Sequence, residues 1–102
     1  MSEMAYLVCA RCEVSLALGK PVRDAAGSVG YFHLGSAQSP PNSARPQLTR
    51  ALWKFIAEHG RDHLRIVTDY DDEFETIADY REVGGDTDND IPLDTYLRGW
   101  PG

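Results

Sequence analysis

Two cysteines and two of the three histidines have the types and spacing to bind a metal ion. Cys9 and Cys12 are the only cysteines and are two residues apart, and His59 and His63 are separated by three residues. Two thiolates at this spacing can occupy adjacent corners of a tetrahedral Zn²⁺ site, and two histidines at a helix end can supply the other corners. We therefore expect a zinc site formed by Cys9, Cys12, His59 and His63.

Other interpretations of the cysteine pair stay open. The second half of the site can also be one histidine and a carboxylate, because carboxylates bind zinc as well. Cys9 and Cys12, followed after twenty residues by His33 and then Ser36, resemble the treble-clef and LIM-type zinc knuckles. In those knuckles a thiolate stands at the position of Ser36. The pair can also be ordinary buried cysteines. Dithiol redox chemistry is less favoured, since no helix is predicted to begin at Cys9.

Charge is distributed unevenly along the chain, whose net charge is −6. Residues 1–68 hold eight basic and five acidic residues, whereas residues 69–102 hold eleven acidic and two basic residues. The first part is therefore +3 and the second −9. Carboxylates repel the phosphate backbone, so we do not expect nucleic acid as a partner of the second part. We name residues 69–94 the acidic segment, and a cationic surface is the partner that its charge would attract.

Aromatic side chains are interspersed with these carboxylates, and aromatic anchors ringed by opposite charge are typical of protein interfaces. The sequence thus predicts a non-catalytic binding protein whose acidic segment docks a basic protein, in the manner of an immunity protein or antitoxin that inhibits a cationic toxin. The predicted contact residues are Asp69, Tyr70, Asp71, Asp72, Glu75, Asp79, Tyr80, Asp86, Asp88 and Asp90. The alternative is a small zinc-stabilised regulatory module that contacts nucleic acid through Arg11, Lys20, Arg23 and Arg61 in the basic part.

Hydrophobic periodicity indicates the elements that would position these residues. Alternation and short apolar runs predict strands over Ala5–Cys9, 14–18, 29–34 and 64–67, with the second strand ending at Gly19. Steps of three and four predict helices over 48–59, 74–78 and 93–100, and Pro46 and Gly60 suit the ends of the first helix. The order predicts a single α+β domain over residues 1–102, with a small antiparallel sheet of three to four strands, helices packed on one face and a bound metal as added support.

Several classes of protein are disfavoured by the same sequence. No motif of a nucleophilic hydrolase, a zinc protease or a phosphate-binding loop occurs, so we expect no enzymatic activity. The longest apolar run is too short to cross a bilayer, and the first residues lack the pattern of a signal peptide. We therefore expect a cytoplasmic protein with reduced thiols, present as a monomer or a small homo-oligomer.

Overall fold

Five strands and three helices make up the part of the chain that the computed structural model describes, residues 3–102. In chain order they are β1 (Ala5–Cys9), β2 (Val14–Arg23), β3 (Val29–His33), α1 (Pro46–His59), β4 (Arg65–Thr68), α2 (Phe74–Ile77), β5 (Arg81–Val83) and α3 (Leu93–Leu97). Two 3₁₀ turns, Asn42–Ala44 and Gly60–Asp62, flank α1. The predicted α+β class is confirmed.

Four antiparallel strands form the main sheet in the order β3-β2-β1-β4. The fifth strand, β5, pairs in parallel with the start of β2, Val14 to Leu16. This strand was not predicted, because three residues are too few to show an alternating pattern.

Gly19 does not end β2, contrary to the sequence prediction. The strand continues to Arg23, with β1 paired up to Gly19 and β3 paired from Lys20 onward. Gly19 has a φ of 102°, and a Cβ atom there would collide with the backbone of His33. The glycine therefore allows the long strand to change partners without a break.

Alternate residues of β1 face two separate cores. Leu7 and Cys9 face α1 and α3, in a cluster that contains Leu7, Cys9, Leu16, Ala51, Phe55, Val83, Tyr96 and Leu97. Val8 faces the other way and packs with Val67 and Ile77 of β4 and α2. Helices α1 and α3 thus share one face of the sheet, as predicted. The prediction that all helices pack on one face is wrong for the one-turn helix α2, because Ile77 packs with Val8 and Val67 on the opposite face.

Helix α1 begins at Pro46, and Gly60 is its C-cap. Ala51 and Phe55 are fully buried, and the neighbouring Leu52 is half-buried. Ile56, which the apolar stripe placed with them, is 40% exposed. The stripe is therefore wider than the face of α1 that the sheet covers.

No helix within residues 3–102 is both long enough and apolar enough to cross a lipid bilayer.

Phe55→Ala should lower the free energy of unfolding by about 3–5 kcal/mol, because it empties the centre of the α1-side core. Trp53→Ala is the matched control on the same helix, since Trp53 is 61% exposed, and it should change stability by about 0.5 kcal/mol or less. Urea unfolding monitored by circular dichroism measures both. Equal losses in the two variants would contradict this packing of α1.

Candidate metal centre

The turn between β1 and β2 brings the two cysteines together. Cys9 is the last residue of β1 and is fully buried, while Cys12 lies exposed within the turn of residues 10–13. Glu13 ends this turn with a φ of 55°, in the left-handed region, and its carbonyl accepts a hydrogen bond from Arg81 N. The turn is thus anchored to β5, and it presents both sulfur atoms toward the end of α1.

The end of α1 supplies the other two groups. His59 is the last residue of the helix, and its ring packs against Phe55 with the ring centroids 4.7 Å apart. The 3₁₀ turn Gly60–Asp62 follows at once. A 3₁₀ turn has three residues per turn, so the side chain three positions after His59 lies on the same side of the chain. That side chain belongs to Asp62.

Cys9, Cys12, His59 and Asp62 form a group whose potential ligand atoms all lie within 4.8 Å of one another. The Oδ2 atom of Asp62 is 3.7 Å from Cys9 Sγ, 3.9 Å from Cys12 Sγ and 4.0 Å from His59 Nδ1. Metal–ligand bonds of about 2.0–2.3 Å place the corners of a tetrahedron about 3.3–3.8 Å apart. The four side chains are therefore close to the spacing of ligands around one ion and can hold a metal.

The Nδ1 atom of His59 is buried and has no hydrogen-bond partner among the described residues. A buried nitrogen without a partner is costly and uncommon in folded proteins. This nitrogen faces the Asp62 carboxylate from 4.0 Å, so an ion between them would give it a partner.

Two side chains at the edge of the group orient its members. Arg11 Nη1 lies 3.1 Å from Asp62 Oδ1, which leaves Oδ2 directed at the cysteines. Glu58 Oε1 lies 3.9 Å from His59 Nε2, on the side of the ring away from Asp62. Outer carboxylates and cations of this kind commonly fix the orientation of metal ligands.

Without a cation, the surroundings of Cys12 disfavour its thiolate form. The hydrogen bond with Cys9 is the largest cause of a raised pKa at the Cys12 thiol, and the charge of Asp62 raises this pKa further. Arg11 acts in the opposite direction. A bound dication would reverse the balance, because it stabilises thiolates and displaces their protons.

The structure brings together three of the four predicted ligands. His63 is not part of the group: it is exposed, and its backbone has a φ of 60°, in the left-handed region. Asp62 lies where we expected the second imidazole. His33 is also elsewhere, at the end of β3, where its Nε2 is 3.1 Å from the carbonyl oxygen of Ser39.

Some carboxylates of the acidic segment have partners within the fold. Asp69 accepts a hydrogen bond from Met4 N, Asp71 from Thr68 N and Asp90 from both Glu82 N and Thr87 N. These backbone hydrogen bonds lower the pKa of Asp90. Asp71 and Asp90 therefore stabilise turns of the chain, and Asp69 links the residue after β4 to Met4.

Five other carboxylates are exposed, and no hydrogen bond or ion pair engages them within residues 3–102. They form what we call the acidic surface: Asp72, Glu75, Asp79, Asp86 and Asp88. The first three follow one another at steps of three and four along α2 and its flanks. Asp86 lines the same shallow cleft as Phe74 and Ala78, so the loop of residues 84–90 adjoins the α2 segment.

The aromatic residues near these carboxylates are less available than expected. Tyr70 is 59% exposed, but Tyr80 is half-buried against the α2-side core. Tyr96 is only 8% exposed, and its hydroxyl donates a 2.6 Å hydrogen bond to Glu58. Burial and this carboxylate raise the pKa of Tyr96. Trp100 is half-buried under the guanidinium of Arg50.

Comparison with known proteins found no matching family model, curated protein or solved structure.

His59→Ala should abolish metal retention, whereas His63→Ala should leave it unchanged, because only the first imidazole faces the cysteines. Loading the apoprotein with Co²⁺ gives a direct measurement, since thiolate-to-cobalt absorption reports on sulfur ligands. Asp62→Asn should weaken binding about 10-fold or more. Loss of metal in the His63 variant with retention in the His59 variant would contradict this group.

Proposed function

We propose that this protein is a zinc-stabilised, non-catalytic binding protein whose acidic surface docks a basic protein partner. Zinc is the metal best suited to the group, because two thiolates, an imidazole and a carboxylate are a donor set that favours it. Four protein ligands fill the tetrahedral shell and leave no position for a water or a substrate. The ion is therefore proposed as structural.

The ion would connect parts of the chain that are distant in sequence. Its ligands lie in the β1–β2 turn and at the end of α1, so binding closes a long loop and holds the helix across the sheet. The free energy of metal binding becomes folding free energy when the site is absent from the unfolded chain. Bringing the two ends of this long loop together costs conformational entropy, and metal binding would offset part of that cost.

The acidic surface is the observation that supports the docking role. Its five side chains carry negative charge and have no cation engaged with them among the described residues. Glu73, by contrast, is paired with Arg65. Unpaired surface charge of one sign accelerates association with an oppositely charged partner. The partner is defined here only by its positive charge, and the inhibitor role stays a prediction.

The nucleic-acid alternative has less support from the same contacts. Two of its four basic residues already have carboxylate partners, Arg11 with Asp62 and Arg23 with Glu3, each at 3.1 Å. Phosphate binding needs several free cations on one surface. If the alternative held, a salt-sensitive complex with DNA or RNA would weaken on changing Lys20 and Arg61 to glutamine.

The combined variant Asp72→Asn, Glu75→Gln and Asp79→Asn tests the docking role. It leaves Asp71 intact, because the carboxylate of that residue accepts a backbone hydrogen bond. With the partner captured from the source organism, the association rate should fall about 10-fold, and its dependence on salt should flatten. Stopped-flow or surface-plasmon measurements at two ionic strengths give both quantities.

A control variant distinguishes the effect of charge at the acidic surface from the effect of the net charge of the protein. Gln38→Lys, Gln47→Lys and Ala57→Lys together change the net charge by the same three units at exposed positions outside the acidic segment. This variant should associate at nearly the wild-type rate. If the two variants slow association equally, or if neither does, the acidic surface is not the docking site.

A further inference from the structure

A cavity of the described chain lies between the sheet and the first half of α1, away from the four potential metal ligands and the acidic surface. Its volume is about 630 Å³, within the range of about 300–1,000 Å³ that small-molecule sites occupy. Leu16 and Leu18 of β2 form one side, and Leu48 and Leu52 of α1 form the other. Three of these four leucines are only half-buried, so the fold leaves apolar surface uncovered here.

The third wall of the cavity is a loop that hydrogen bonds hold in place. Asn42 donates from Nδ2 to the carbonyl of Leu18 at 2.9 Å and accepts at Oδ1 from Leu34 N at 2.8 Å. Arg45 binds both Asn42 Oδ1 and the carbonyl of Leu34. Prolines 40 and 41 restrict the loop further. The cavity is therefore preformed and does not depend on a mobile segment.

The chemistry of the lining defines the occupant. About a quarter of the chain is charged, yet no Asp, Glu, Lys or Arg of residues 3–102 lines this cavity. Arg45 lies behind Asn42, and its guanidinium binds the loop. A ligand with a net charge would lose water without gaining a counter-ion, which is unfavourable. The site therefore fits a neutral molecule.

One polar group of the lining can orient such a molecule. The Nε2 atom of His33 lies 3.1 Å from the carbonyl oxygen of Ser39. The carbonyl oxygen can accept a hydrogen bond from Nε2 only when this nitrogen carries the proton. In the neutral ring Nδ1 is then an acceptor. From these observations we propose that the cavity binds a neutral, largely apolar small molecule whose hydroxyl donates to His33. This proposal is independent of the metal ion and of the acidic surface.

A dye and four matched competitors test the chemical class. Nile red, a neutral apolar dye, should bind saturably to the wild-type protein, and decanol should displace it. Decanoate and decylammonium should compete at least about 10-fold more weakly, because each carries an unpaired charge into the cavity. Decyl methyl ether, which lacks the donor, should also compete more weakly than decanol. Equal competition by decanoate or decylammonium would overturn the neutral class, and equal competition by the ether would overturn the role of His33.

A cavity-filling variant tests the location. Leu48→Trp should place a larger ring system in the cavity and weaken dye binding about 10-fold or more, while Gln47→Trp, at an exposed neighbour outside the lining, should bind like wild type. Melting temperatures confirm that both variants fold, and amide NMR shifts of the wild type on adding decanol should concentrate at Leu18, His33 and Leu52. Failure of the dye to saturate, or equal binding by both variants, would overturn the proposal. A dimer that Leu48→Trp dissociates would also overturn it, because a second copy would then be the occupant.

Discussion

The contact between the β1–β2 turn and the end of α1 is the constraint on which the arrangement of the molecule depends. Cys9 takes part in it three times, as the last residue of β1, as a fully buried member of the α1-side core and as a potential metal ligand. His59 also belongs to both, because its ring packs on Phe55 and its Nδ1 atom faces the carboxylate of Asp62 among the potential metal ligands. A shift of α1 along the sheet would therefore disturb both the packing of the α1-side core and the spacing of the four potential metal ligands.

The two faces of the sheet carry different properties. On the α1 face lie the main core, the metal group and the uncharged cavity, whereas the α2 face carries a smaller core and much of the acidic surface. Tyr6 lies on the α2 face next to carboxylates. Burial raises the pKa of Tyr6, and the nearby carboxylates of Glu82 and Asp69 raise it further. An ion held by Cys9, Cys12, His59 and Asp62 would therefore lie on the face opposite to α2.

The sequence predicted some features well because their signals are local. Pro46, Gly60 and the spacing of Ala51 and Phe55 predict α1, and the alternation after Cys12 predicts the start of β2. Strand β5 was missed because its parallel pairing depends on a distant segment. Asp62 was missed as the specific ligand because a 3₁₀ turn places the third residue beside His59, and nothing in the sequence marks that turn.

The same limit applies to the charged residues. The excess of carboxylates after Thr68 is visible in the sequence, but their individual roles are not. Asp71 and Asp90 accept hydrogen bonds from backbone amides, whereas Asp72 and Asp88 have no such partner within residues 3–102, and only the course of the turns separates the two kinds. The sequence likewise does not show that Tyr96, which follows the acidic segment, is buried, because it packs from α3 against Lys54 and Glu58 of α1.

The most direct test of metal binding by Cys9, Cys12, His59 and Asp62 is X-ray absorption at the zinc edge. The protein is purified without added metal. If Cys9, Cys12, His59 and Asp62 bind zinc, we expect about one zinc per chain, with two sulfur ligands at about 2.3 Å and two nitrogen or oxygen ligands at about 2.0–2.2 Å. A first shell without sulfur, or a folded protein that contains no metal and whose melting temperature zinc does not change, would contradict it.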